Sequence, residues 1–274
     1  MSKKSVLLYR RGGLGDTLFT FPILEIFKKL GYRTIAVGNT DYFKIAKYAG
    51  FADEVYSEIP EGEYERRIII SFDGNLKPFP EERIWILEYY LKELNLPPLY
   101  SPILPIKFYE NSPLKGKVVI HPSSGSKKKN PSLELFLYIS NYLKSKNIEY
   151  VYLLGEAEAE LTELLKPNFF SLSPLEIAKN LKAASFYIGL DSGITHLASY
   201  LGVKGIVIYG PTDKVVWRPI GKSIEVLSLD YECSPCFPNV CKERPCLNPN
   251  ELFKKLVELM EIFLLSNYCD SEKI

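Results

Sequence analysis

The chain has 274 residues, a formal net charge of +1 at pH 7, 46% hydrophobic and 24% charged residues, the balance of a soluble globular protein. That length allows one large domain or two medium ones. The near-zero charge argues against nucleic acid as the main partner, and no apolar run approaches the roughly 18 to 20 residues that span a bilayer.

The first ten residues carry basic side chains but only four consecutive apolar ones, Val6 to Tyr9. This reads as a first β-strand rather than a signal peptide, so the chain is expected in the cytoplasm. A glycine-rich turn follows, with Gly12, Gly13, Gly15 and Asp16, and then an apolar-periodic helix is predicted over 17–29. A strand is predicted over 35–37, a helix over 41–49, a short strand at 55–56, a strand over 68–70 and a helix over 83–94. Strands alternating with helices imply a parallel sheet. Residues 96–105 then bring four prolines, which fit neither helix interiors nor central strands. They predict an extended connection that runs on to about residue 117.

A second α/β series follows, with strands over 117–120, 150–154, 186–188 and 204–209. Helices are predicted over 132–145, 156–165 and 174–184, and a last amphipathic helix over 250–265. A cysteine-rich loop precedes that helix.

Three segments carry chemistry. At residues 188–202 an apolar run is cut by Gly189, followed by Asp191, Ser192 and Gly193, then by an amphipathic stretch with His196 in its first turn. Strand, tight turn and helix start make a place for an anion, because a helix N-terminus has unpaired N–H groups and a partial positive charge. The plainer reading is that Asp191 or Ser192 caps the helix. The second segment, 121–131, begins with His121 and holds Ser123, Ser124, a glycine and three consecutive lysines, 127–129. It suits a diphosphate, or it is a solvated basic loop. The third is the glycine turn. Its spacing is neither that of a P-loop nor of a dinucleotide fingerprint. Asp16 sits at the end of the first strand, where ligands bind in open α/β sheets, and it can act as a base or merely cap a helix.

Four motifs occur in order along the chain: Gly-Asp-x-Leu-x-x-x-Pro over 15–22, His-Pro followed by Lys128 over 121–128, Asp-Ser-Gly-x-x-His-x-Ala over 191–198, and Gly-Pro-Thr-Asp over 210–213. With the cysteines after Tyr231, they resemble the ADP-heptose:lipopolysaccharide heptosyltransferases of glycosyltransferase family 9. The resemblance implies an α/β glycosyltransferase-B fold, with two Rossmann-like domains facing across a cleft. Residues 1–108 would bind the acceptor and 109–250 the nucleotide sugar, with a C-terminal helix in 251–274 packing back on the first domain.

The implied function is inverting transfer of a sugar, heptose foremost, from an ADP-sugar to a lipid-linked oligosaccharide of the lipopolysaccharide inner core. Asp16 would be the base and Lys128 would stabilise the leaving diphosphate. Gly13, Gly15, Ser123, Ser124, Asp191, Ser192, Gly193 and His196 would hold the donor, with Glu156 near its ribose. The chain lacks an Asp-x-Asp pair, so no obligatory catalytic cofactor is expected. Such an acceptor suggests peripheral contact with the inner membrane face, helped by Arg10, Arg11, Arg66 and Arg67, unless these are ordinary solvated charge. The chain is shorter than most of the family, chiefly in its first half.

Cys233, Cys236, Cys241 and Cys246 fall in one short loop. The cluster leaves three readings open: a structural zinc or iron site, disulfides, or free thiols. Two rival functions also remain, a nucleotide-sugar-binding regulator without catalysis and another nucleotide-sugar enzyme of the same fold, such as an epimerase.

Overall fold

The computed structural model describes residues 4–239 and 241–265. Its first half is a four-stranded parallel sheet built from β1 (Ser5–Arg10), β2 (Arg33–Gly38), β3 (Glu54–Tyr56) and β4 (Arg66–Ile70), in the order β3-β2-β1-β4. Val6, Leu7 and Leu8 of β1 are fully buried. An unbroken apolar run of this kind marks a central parallel strand covered on both faces.

The helix predicted over 17–29 is two helices, α1 (Leu14–Leu18) and α2 (Phe21–Lys29). Pro22 is the reason. Proline has no N–H and collides with the preceding turn, so it is tolerated only where a helix begins, and α2 starts one residue before it. α3 (Thr40–Tyr48) is capped by the Asn39 side chain, which accepts from the Asp41 and Tyr42 amides. α4 (Ile86–Glu93) starts later than predicted, because Trp85 is extended and acts as its N-cap.

The second half is a six-stranded, all-parallel sheet in the order β10-β9-β8-β5-β6-β7. Its strands are β5 (Val118–His121), β6 (Tyr150–Leu154), β7 (Asn168–Phe170), β8 (Phe186–Leu190), β9 (Gly205–Tyr209) and β10 (Ile224–Ser228). The edge strands β7 and β10 escape the sequence reading: β7 is only three residues long and β10 is largely half-exposed. α5 (Glu134–Ser145), α6 (Pro174–Leu181), α7 (Gly193–Tyr200) and α8 (Pro249–Met260) cover this sheet. The helix predicted over 156–165 is instead a 3-10 segment, Glu156–Leu161. There the Glu158 carboxylate turns back on the Gly155 amide at 2.8 Å and on the Ser123 hydroxyl, which tightens the first turn.

Among the described residues, the last helix packs on the second domain rather than the first. Leu252, Leu256 and Met260 of α8 are buried with Leu135, Phe136 and Ile139 of α5 and Leu227 of β10. Its apolar stripe matches the open face of its own sheet, so burial there satisfies it. Residues 266–274, including Cys269, lie outside the described residues.

Two cores result. One lies on the far face of the second sheet. The other is continuous across both halves and joins Val6, Leu8, Leu18 and Phe19 to Leu197, Ala198 and Tyr200. The proline-rich connection runs over this seam: Leu104 and Ile106 are buried, and the Leu104 amide donates to the Tyr200 carbonyl.

Candidate active site

In open α/β sheets, ligands bind outside the carboxyl ends of the strands where strand order reverses. In the first sheet that point lies between β1 and β4, and in the second between β5 and β8. The loops after these four strands meet around one cleft of about 880 Å³. Residues 13–16 and Phe79 come from the first domain. Ser123, Ser124, Asp191, Ser192, Gly193 and His196 come from the second. Thus Gly13, Gly15, Asp16 and the donor-side residues that the sequence singled out converge, with Glu156 also on the wall.

Asp16 serves as cap and faces the cleft at once. Its Oδ2 accepts the Gly13 amide at 2.9 Å, and its Oδ1 accepts the Arg10 guanidinium at 2.8 Å. Each carboxylate oxygen has a second lone pair, so a further proton donor can be accepted. Arg10 is buried at the end of β1, so it is no membrane-facing charge. Arg11 pairs with Glu58, while Arg66 and Arg67 stay exposed on β4.

The glycines have a second role. A Cβ on Gly193 would stand 2.7 Å from Leu14 Cβ, and one on Gly15 would stand 2.9 Å from His196 Cδ2. Both are bare so that α1 and the start of α7 can touch across the domain seam. Close packing there holds Asp16 opposite the turn after β8.

On that opposite wall Ser192 is the N-cap of α7 and accepts the Thr195 amide at 3.3 Å. Asp191 is buried. Burial opposes its ionisation, but the nearby His196 ring and the Lys129 ammonium hold its carboxyl down at about 2. Lys129 Nζ lies 2.9 Å from Asp191 Oδ2, and His196 Nε2 lies 3.6 Å from Oδ1. The His196 ring packs edge-on against Phe19 with centroids 4.9 Å apart, and its Nδ1 is buried with no hydrogen-bond partner among the described residues.

The three lysines point apart. Lys127–Lys129 form a 3-10 turn, in which successive side chains diverge by about 120°. Lys128 is exposed and donates to the Pro238 carbonyl at 2.9 Å. Lys129, 18% exposed, is the lysine that lines the cleft. Sequence alone could not choose among three identical neighbours. Their divergence on so tight a turn decides it.

Glu158, buried beside Ser123, is the other residue that the sequence reading passed over. It lies two positions after Glu156, and both line the cleft. The strand-end position of Gly155 could have pointed to either. His121 is also buried. Burial lowers its pKa, partly opposed by Glu158, and Nδ1 is bonded to the Leu153 carbonyl at 3.0 Å.

The cysteine loop borders the same cleft through Phe237 and Pro238. Cys233, Cys236, Cys241 and Cys246 are all free thiols. Burial and the three neighbouring thiols push the Cys246 thiol up. Among the described residues, no group of three or more His, Cys, Asp or Glu is arranged to hold a metal ion. What the loop does is clasp the lysine turn: Lys128 reaches the Pro238 carbonyl, Arg244 donates to the Lys127 and Asn130 carbonyls, and Lys129 lies over the Phe237 ring at 5.6 Å.

Two parallel α/β domains meeting at their switch points around one cleft define a glycosyltransferase-B architecture. The glycosyltransferase family 9 (heptosyltransferase) model matches residues 107–247, and the chain belongs to that family. It is 33% identical over 82 residues to lipopolysaccharide heptosyltransferase 1 of Pseudomonas aeruginosa, a match covering 30% of this chain and 23% of that protein. It is 26% identical over 180 residues to lipooligosaccharide heptosyltransferase 2 of Campylobacter jejuni, covering 57% of each. These matches thus span well under two thirds of either relative. Among solved structures, the E. coli ADP-heptose lps heptosyltransferase II superposes with a TM-score of 0.72 at 14% identity, covering 93% of this chain and 98% of that one. At that identity the likeness concerns the fold.

Proposed function

We propose that this protein transfers heptose from ADP-heptose to a sugar hydroxyl of a lipopolysaccharide core acceptor, with inversion at the anomeric carbon. The observation that carries this reading is the placement of Asp16 on the wall facing Lys129, Asp191, Ser192 and His196. The named relatives supply the sugar and the acceptor class.

In the reaction the acceptor oxygen attacks the anomeric carbon while Asp16 takes its proton. The bond between that carbon and the diphosphate oxygen breaks, and ADP leaves. Arg10 and the Gly13 amide fix the Asp16 carboxylate, so its free lone pair is aimed before substrate arrives. The leaving diphosphate gains charge. Lys129 and the N-terminus of α7 offset it without a metal ion. Asp191, ionised and buried, would repel a diphosphate, so it is assigned to positioning Lys129 and His196. Glu158 and Glu156 suit ribose hydroxyls as acceptors. A base on the cleft wall favours catalysis over a binding-only regulator.

None of the helices among the described residues is long and apolar enough to cross a membrane. A lipid-linked acceptor would therefore be met at the bilayer surface, where exposed Arg66 and Arg67 would face anionic headgroups.

The test is transfer from ADP-heptose to a core acceptor, followed by release of ADP. Asp16→Asn should cut kcat by about 10²- to 10⁴-fold while ADP binding persists. Full turnover in that variant would remove the proposed base. ADP binding without any transfer by the unaltered chain would favour the regulator.

A further inference from the structure

Three identical lysines stand side by side at 127–129, and Lys129 is the one that lines the cleft. The run itself does not decide which of them does. Each step along a 3-10 turn rotates the side chain by about 120°, so a slip of one residue would put a neighbour in its place. The turn is also too short to hold its own register. It spans three residues and is closed by the Lys129 amide on the Ser126 carbonyl at 2.9 Å and the Asn130 amide on the Lys127 carbonyl at 3.3 Å. A single helical turn is marginal without outside support.

The support comes from the cysteine loop. Arg244 Nη1 donates to the Lys127 carbonyl at 3.2 Å and to the Asn130 carbonyl at 3.3 Å, one at each end of the turn. The Lys127 carbonyl thereby uses both lone pairs, one on the Asn130 amide and one on Arg244. A cation at the carbonyl end of a helical turn is favourable in its own right. The Asn130 side chain in turn accepts the Ser124 amide at 2.9 Å, so the same guanidinium steadies a second residue of the cleft wall. Arg244 itself stays off that wall.

The backbone at Arg244 is left-handed, with φ 43° and ψ 55°, a conformation that glycine or asparagine takes more readily. What the long side chain reaches explains an arginine at such a position. The loop that carries it has its own anchor: the Cys236 and Phe237 amides donate to the Pro211 carbonyl at 2.9 and 3.0 Å. With Lys128 drawn to the Pro238 carbonyl and Lys129 held over the Phe237 ring, the loop fits the lysine turn in one register.

We propose that Arg244 is a positioning residue for the transfer step: it fixes the register of the lysine turn, so that Lys129 and not a neighbour reaches the leaving diphosphate. This rests on the transferase reading, in which Lys129 serves the leaving group.

The experiment is a double-mutant cycle on the full chain, Arg244→Gly with Lys129→Ala. It is read by steady-state transfer from ADP-heptose to a core acceptor and by calorimetric titration with ADP. Glycine suits the left-handed backbone, so the melting point of Arg244→Gly should stay within a few degrees of wild type. Its kcat should fall about tenfold, with KM for the acceptor unchanged. In the Lys129→Ala background the same change should cost nothing further, because the lysine it directs is gone. Arg244→Lys should restore most of the rate, since one ammonium can serve two carbonyls as one guanidinium nitrogen does. ADP affinity should follow the same pattern, weaker by about threefold in Arg244→Gly and no weaker when glycine is added to Lys129→Ala. Should Arg244→Gly not fold, Arg244→Asn, which also suits that backbone but is too short for both carbonyls, takes its place in the cycle. Unchanged kcat in Arg244→Gly, an equal loss in both backgrounds in either readout, or no recovery in Arg244→Lys would overturn the assignment. Coupling in ADP affinity without any transfer by the wild-type chain would sink the transferase reading and leave the positioning role standing.

Discussion

At the residue scale Asp16, Lys129 and Asp191 each illustrate a different limit on what a sequence discloses. The sequence allows Asp16 to be base or cap, and it caps α1 while facing the cleft. The two roles use different lone pairs, so composition could not separate them. Lys129 differs from Lys128 only in direction. Lys129→Ala should therefore lower kcat by about 10²-fold or more, as expected for a lost donor at the leaving group, whereas Lys128→Ala should stay within severalfold of wild type. Steady-state kinetics on the two variants checks this, and equal losses would return the role to Lys128. For Asp191 the sign follows from its depressed pKa. Its stabilisation is full above the unfolded value of 3.8 and is lost as pH falls toward about 2. Asp191→Asn should cost roughly 2 kcal/mol at pH 7 and nothing below about pH 2. Denaturant titrations at both pH values would expose a constant difference, which would contradict the assignment.

At the scale of elements, the βα rhythm was readable because buried parallel strands are short unbroken apolar runs, as in Val6 to Leu8 and Phe186 to Leu190. Edge strands are not marked that way. β10 has only one buried residue and so no distinct pattern. Pro22 was visible, but a helix break and a helix start look alike until the next turn is seen. The α1–α7 contact was invisible, since nothing in a lone glycine says what approaches it. Gly193→Ala should cost about 1–3 kcal/mol, because its Cβ would press on Leu14 and the Gly15 backbone. Thermal unfolding would measure this. A melting point equal to wild type would mean that the seam yields to an added methyl group.

Across the whole molecule, the two halves are joined by one continuous core and by polar ties at the rim. Arg83 grips Asp213 through Nε and one terminal guanidinium nitrogen, and Trp85 Nε1 donates to the Arg218 carbonyl at 2.8 Å. Arg83 is 60% exposed, so Arg83→Ala should lower stability by no more than about 1 kcal/mol. A much larger loss in calorimetry would show that the domains depend on this tie rather than on the shared core. With Lys129 and α7 supplying positive charge, transfer should also proceed in excess EDTA. Abolition of turnover by chelator, restored by a divalent ion, would reassign charge stabilisation to a metal.

The linear order of apolar runs, prolines and glycine turns was enough to establish two parallel α/β halves, and four spaced motifs pointed to the family. Those features are local: a strand, a cap or a helix start depends on residues within a few positions of one another. The choice of Lys129 over Lys128, the burial of Glu158, the packing of α8 on its own sheet and the reach of Arg244 to the lysine turn were decided by folding alone. Each depends on groups dozens to hundreds of residues apart, such as Lys127 and Arg244, and on side-chain directions that only long-range packing sets.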